Sequence, residues 1–287
     1  MSDAFLDIDH LMVHVPDSER AGAAFERLGF VATPKSEMPG LSNRLICFSD
    51  TTADSGVCNY IELMELEDAA IAPPQMQKVL LGPGPASTVL SVEDAAAVRE
   101  RLAEEGMTIS PALELSRDWI LPNGEVLKAA FAVAIPEPGQ APFYWNFCKH
   151  RTAQHYVRPD FTGHPNGALR ISQMIAVAED PADTAAHYVT HWQARFEGGR
   201  LVLPHGRVTL ALLNPADYRA AVAGVPGLDA RPGLKGIRIA VSDLAGAQRL
   251  IEAAGVSTYA VGDGFAVAPV DAAGTLLIFE GPDAARE

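Results

Sequence analysis

The chain contains no apolar run that approaches the roughly 18 residues needed to cross a bilayer. Its opening, MSDAFLDIDH, has neither the basic nor the apolar region of a secretory leader. Cysteine is scarce: Cys47, Cys58 and Cys148 stand without any C-x-x-C spacing, so neither a disulfide framework nor a zinc knuckle is expected. Basic residues are outnumbered 22 to 36, for a net charge of −14, and such a chain is repelled by phosphate backbones and anionic lipid. These absences leave a cytoplasmic protein whose partner is a small molecule, with no nucleic acid and no membrane. At 287 residues and 48% hydrophobic content the chain can bury a large core, and its length fits two domains.

What is present is repetition. Four apolar stretches, H-L-M-V-H-V-P-D, S-T-V-L-S-V-E-D, Q-M-I-A-V-A-E-D and G-I-R-I-A-V-S-D, close on Asp17, Asp94, Asp180 and Asp243. In three of them a glycine follows twelve residues later, at Gly29, Gly106 and Gly255. Self-similarity of this kind means one supersecondary unit used several times. The residue seven before each aspartate is His10, Ser87, Gln173 or Gly236, a variable column on a constant frame.

In the first unit Ile8, His10, Met12 and His14 alternate with Leu11, Val13 and Val15, the two-residue period of a strand. Asp17 suits an N-cap, and Ala21, Ala24, Phe25 and Leu28 then form one apolar helix face closed by Gly29. Ala185, Tyr188, Val189 and Trp192 repeat that face in the third unit, and Ala247, Leu250, Ile251 and Ala254 in the fourth. After the helices come strand candidates at 43–49, 59–66, 125–134, 142–149, 199–213, 256–260, 264–269 and 274–280. The unit is therefore βαβββ. Gly- and Pro-rich breaks fall at 82–85, 150–168 and 225–233. The longest is central, giving an expected domain 1–150, a linker 151–168 and a second domain 169–287.

A βαβββ unit with a histidine seven residues before the V-x-D corner resembles the vicinal oxygen chelate superfamily. N-R-L-I-C-F at 43–48, Y-I-E-L at 60–63, F-C-K-H at 147–150 and H-P-N-G-A at 164–168 look more closely like its glyoxalase-like domain family. The resemblance implies an α+β fold in which four βαβββ modules pair into two bowl-shaped mixed sheets flanked by helices. It also implies a divalent metal (Fe, Mn, Zn, Ni or Co) held by His10 and Glu62. Alternation supports the second ligand, since Tyr60, Glu62 and Met64 share one strand face. Tyr144, Asn146, Cys148 and His150 likewise share a face, so His150 is a candidate third ligand or general acid–base. Asn43, Arg44, Tyr60, Tyr144 and Asn146 are candidate substrate contacts. Cys148 is expected to be buried and inert, His14 to lie behind the site, and His155 and His164 to face solvent.

The other units depart from the superfamily pattern. Ser87 is a poor ligand for a borderline metal, Asn146 stands where a second glutamate is expected, and Gln173 and Gly236 leave only Glu280 as a ligand type in the second bowl. That bowl is expected to be structural, or a metal-free pocket in which Arg238 meets an anion. The leading expectation is a metal-dependent lyase or isomerase of glyoxalase type, with Glu62 and His150 catalytic, acting as monomer or homodimer. The alternatives are a metal-free sequestering protein and an extradiol-type ring-cleaving dioxygenase.

Overall fold

A computed structural model describes residues 4–51 and 55–282. The first half runs β1 (Phe5–Val15), α1 (Ser18–Arg27), β2 (Ser36–Met38), β3 (Leu41–Cys47), β4 (Tyr60–Leu66), α2 (Pro74–Val79), β5 (Gly84–Val92), α3 (Ala95–Glu104), β6 (Leu113–Ile120), β7 (Val126–Ala134) and β8 (Trp145–His150). A short helix, α4 (Pro159–Thr162), precedes the second half. There the order repeats as β9 (Ala168–Val177), α5 (Pro181–His191), β10 (Arg195–Glu197), β11 (Arg200–Val202), β12 (Thr209–Leu213), α6 (Pro215–Ala221), β13 (Gly233–Val241), α7 (Leu244–Ala253), β14 (Thr258–Val261), β15 (Gly264–Val267) and β16 (Leu276–Glu280). No helix among the described residues is long and apolar enough to cross a membrane.

Two eight-stranded mixed sheets result, ordered β2-β3-β4-β1-β5-β8-β7-β6 and β10-β11-β12-β9-β13-β16-β15-β14. In each, the first strands of two units pair antiparallel at the centre. The last strand of each unit pairs parallel with its own first strand. This is the α+β, four-module architecture that the resemblance implies. The first sheet curls until its two edges, β2 and β6, come into contact.

The repeated aspartates are what make strand turn into helix. The carboxylate of Asp17 accepts from the Arg20 amide, Asp94 from Ala96 and Ala97, Asp180 from Ala182 and Asp183, and Asp243 from Gly246. Three of the helices end against a left-handed glycine, Gly29 (φ 82°), Gly106 (φ 93°) and Gly255 (φ 76°). The third helix has 11 residues rather than 10, and Gln193 takes the left-handed position at φ 56°.

Helices and sheet faces from both halves share one core. Leu11, Val13, Phe25 and Phe147 from the first half meet Ile171, Met174, Trp192 and Phe279 from the second. Asp7 adds a polar pin, accepting from the Arg207 amide at 2.9 Å and the Val208 amide at 3.1 Å. The segment 151–167 is packed rather than extended. His164, expected to face solvent, is buried: its Nε2 donates to the Cys47 carbonyl at 2.8 Å and its Nδ1 accepts from the Val31 amide at 3.0 Å. Burial lowers its pKa to about 4, so it stands as a neutral structural link.

Two differences from the sequence expectations have physical causes. A bulge between Ile8 and His10 resets the alternation of β1, so Ile8 joins Leu11 and Val13 in the shared core instead of lying beside His10. Strand β6, absent from the candidates, is an edge strand whose outer face is Glu114, Ser116 and Asp118, so it never reads as apolar on both sides. The concave side of the second sheet is occupied by Tyr218 of α6 and neighbouring Val222, packed on Ile175, Val177, Leu276 and Ile278.

Gly236, in the variable column, is explained by backbone space. A Cβ there would stand 2.0 Å from the Leu276 carbonyl oxygen on the paired strand β16. Gly236→Ala should destabilise the fold by about 1–3 kcal/mol, measured as a lower urea midpoint at unchanged slope. An unchanged midpoint would mean that the two strands part without cost.

Candidate functional site

The curled first sheet encloses a cavity of about 310 Å³. One end is apolar, lined by Met12, Met38, Met64, Met76, Phe131 and Val133, with Met76 coming from α2. The opposite end is polar, lined by His10, Tyr60, Glu62, Arg117, Asn146 and His150. Behind that polar floor the chain after β8 folds back, and Tyr156 and Phe161 pack on Trp119.

The floor is organised by Asp9, which is 0% exposed. Its Oδ1 lies 2.7 Å from His10 Nδ1 and 3.0 Å from His150 Nε2. Its Oδ2 accepts from the Cys58 amide at 2.8 Å and from the Ser91 hydroxyl. Burial alone would raise this carboxyl, but His150 and His10 outweigh it and hold Asp9 well below the usual carboxylate range. The bulge in β1 is what allows adjacent residues to meet in this way. The His10 ring also stacks on Tyr60 with centroids 3.9 Å apart.

With Nδ1 fixed, His10 directs Nε2 toward Glu62 Oε2, 3.5 Å away. Glu62 Oε1 accepts from Asn43 Nδ2 at 2.6 Å, and Asn43 is itself held by the Ser36 hydroxyl at 2.6 Å. Arg117 NH1 stands 3.5 Å from the same Oε1. Burial opposes ionisation of both partners, yet the Asp9 and Glu62 contacts raise His10, while His10, Arg117 and Asn43 lower Glu62. The floor is thus a buried chain of polar contacts running Arg117, Glu62, His10, Asp9, His150.

Five buried polar atoms on four residues of the cavity lining have no protein partner among the described residues: His150 Nδ1, Asn146 Oδ1, Tyr156 Oη and, on Arg117, the pair Nε and NH2. Buried polar atoms left unpaired are costly, so such a set in one cavity points to a polar guest. Asp9, His10, Cys148 and His150 also place one ligand atom each within 4.8 Å of one another, a group able to hold a metal ion. Cys148 Sγ is 3.5 Å from His150 Nε2, and burial pushes its thiol well above the ordinary value.

Of the residues singled out from sequence, His10, Tyr60, Glu62, Asn146 and His150 line the cavity, and Asn43 reaches it through Glu62. His150 does not meet Glu62 directly; it joins His10 through the shared oxygen of Asp9. Two expected substrate contacts lie elsewhere. Arg44 points to the opposite face of β3, where it binds Glu19, Glu26 and the Thr33 carbonyl. Tyr144 falls one strand step beyond the cavity and lines a separate small hollow with Lys78 and Glu137. His14 bonds the Gly82 carbonyl outside the site. In the second sheet Arg238 does not await an anion, because Glu280 stands 3.4 Å away and is also held by Ser172 at 2.6 Å.

Sequence reading missed Asp9, Arg117 and Tyr156. For Asp9 a signal existed: a carboxylate inside the apolar strand FLDIDHLMVHV requires partners if the strand is buried. Arg117 was hidden with β6, and Tyr156 in a stretch that looks like a linker.

Asp9→Asn should destabilise the protein by about 3–5 kcal/mol, because it leaves buried partners uncompensated. The sign of its pH dependence follows from the shifts. Lowered carboxyls stabilise above their unfolded pKa and lose that contribution as pH falls; raised His10 stabilises below its unfolded pKa and loses it as pH rises. The wild-type advantage should therefore peak between about pH 4 and 6.5, read from urea unfolding at a series of pH values. A flat difference would show that the network does not carry ionised groups.

Residues 8–192 match the family described as the glyoxalase-like domain. No curated protein matches the chain in sequence. Among solved structures, a hypothetical protein from Staphylococcus aureus is similar over 96% of this chain and 99% of its own, at 12% identity and TM-score 0.66. A Mn(II)-bound glyoxalase from Novosphingobium aromaticivorans is similar over 97% and 83%, at 9% identity and TM-score 0.53. A mutant 4-hydroxymandelate synthase from Streptomyces coelicolor is similar over 90% and 78%, at 14% identity and TM-score 0.53. At these identities the likeness is one of fold. The family match, spanning most of the chain and including the strands that carry His10, Glu62 and His150, places the protein in the glyoxalase-like domain family of the vicinal oxygen chelate superfamily.

Proposed function

We propose that the cavity is the active site of a divalent-metal-dependent lyase or isomerase acting on a small molecule that presents adjacent oxygens. The observation that carries this reading is the approach of His10 Nε2 to Glu62 Oε2, at 3.5 Å, with Asp9 fixed behind the imidazole. An imidazole and a carboxylate suit a first-row divalent ion, and a carboxylate on the far ring nitrogen orients such a ligand. His10 and Glu62 would hold the ion; bound there, it supplies Lewis-acid stabilisation of an oxyanion.

The remaining chemistry belongs to the chain's own residues. His150, when neutral, donates from Nε2 to Asp9 and leaves Nδ1 as a base on the cavity wall. It is placed to take a proton from a bound molecule and return it, while Asp9 stabilises the imidazolium formed in between. Asn43 fixes the Glu62 carboxylate, and the methionine-lined end excludes water. A metal-free sequestering protein is the second reading. It is favoured by the apolar lining and by the fact that Asp9, His10 and Glu62 already satisfy one another.

Chelator-treated protein reconstituted with Mn, Fe(II), Co, Ni or Zn should bind metal stoichiometrically, and His10→Ala and Glu62→Ala should each lose it. Because His10 must shed a proton to ligate, apparent affinity should rise roughly tenfold per pH unit below the raised His10 pKa. Absence of stoichiometric metal, or full metal content in both variants, overturns the enzyme reading and leaves the sequestering one.

A further inference from the structure

We infer that the cavity takes a small carboxylate with an apolar body, and that Arg117 binds its carboxylate group. Arg117 is only 5% exposed, and it is the one lysine or arginine among the residues lining the cavity. Its guanidinium faces are used by aromatic rings, with Phe131 at 5.3 Å and Trp119 at 5.8 Å from its central carbon. That leaves the edges for hydrogen bonds. NH1 is directed to Glu62 Oε1 at 3.5 Å, an oxygen already engaged by Asn43 at 2.6 Å. Nε and NH2 have no partner among the described residues. These two nitrogens share one edge of the planar group and present two parallel N–H bonds, the fork that a carboxylate accepts bidentately.

Charge argues for a monoanion. The Glu62 carboxylate stands 3.5 Å from Arg117 NH1, so a phosphate dianion on the same guanidinium would meet repulsion that one cation does not offset. Tyr156 Oη, also unpartnered and on the same lining, can donate one further bond. The opposite end, with Met12, Met38, Met64 and Met76, fits an apolar body of variable shape, because unbranched thioether chains adapt to what they touch. Specificity then resides in the head group, and the body is selected by size.

This inference rests on the cavity being the ligand site proposed above, though not on a metal being bound, and the test separates the two. Binding of phenylacetate and of its neutral isostere phenylacetamide to intact protein, with and without reconstituted metal, is followed by calorimetry and by Trp119-sensitive fluorescence. The acid should bind roughly tenfold or more tightly than the amide. Arg117→Met should abolish that preference, the acid losing far more affinity than the amide, and Arg117→Lys should restore part of it. Equal binding of acid and amide to wild-type protein, or no acid binding at millimolar concentration, overturns the inference without any variant. An acid preference retained in Arg117→Met overturns it as well. Loss of metal binding with the acid preference intact would instead remove the metal reading alone.

Discussion

One buried carboxylate sets the geometry on which the rest of the cavity floor depends. Asp9 uses all its acceptor capacity on the His10 and His150 rings, the Cys58 amide and the Ser91 hydroxyl. Those partners come from β1, the approach to β4, β5 and β8, so a single side chain joins the central strands of the sheet. Without hydrogen-bond donors on both oxygens such a group would not stay ionised in the interior. Its presence therefore requires the histidines as much as they require it, and Glu62 and Arg117 continue the chain of contacts outward.

The frame of the protein was legible because it rests on local chemistry. An aspartate cap and a left-handed glycine punctuate each helix, and both leave marks in the sequence. The His10 and Glu62 positions were legible for a related reason, since strand alternation tells which side chains share a face. What could not be seen depends on breaks in that alternation and on long-range contacts. The bulge at Asp9 shifts the parity of β1, and Arg117 lies on an edge strand whose outward residues are polar. Arg44, beside Asn43 in sequence, shows the converse: neighbours on a strand point to opposite faces, so only one of such a pair can serve a concave site.

The two sheets share a strand order and differ in what fills their concave sides. In the first, β6 and β7 carry Arg117 and Phe131 over a cavity capped by α2. In the second, Tyr218 and Val222 occupy the equivalent space, and Glu280 and Arg238 neutralise each other. The variable column follows the same division. His10 serves the cavity, Gln173 bonds Thr209 on the neighbouring strand, and Gly236 gives way to a backbone carbonyl. Repetition of a fold thus preserves the positions and lets burial decide which of them face a guest.

The shared core between the sheets bears on how the molecule opens. Leu11 and Phe25 of one half are buried against the same cluster as Met174 and Phe279 of the other, and Asp7 ties β1 to backbone more than one hundred residues away in sequence. Neither half retains a covered outer face if the other unfolds. Amide exchange in β1 and β9 should then be limited by one global opening, with both halves belonging to a single cooperative unit. A sequence built from four repeats would in that respect act as one body, and cutting it between the sheets would expose apolar surface on both pieces.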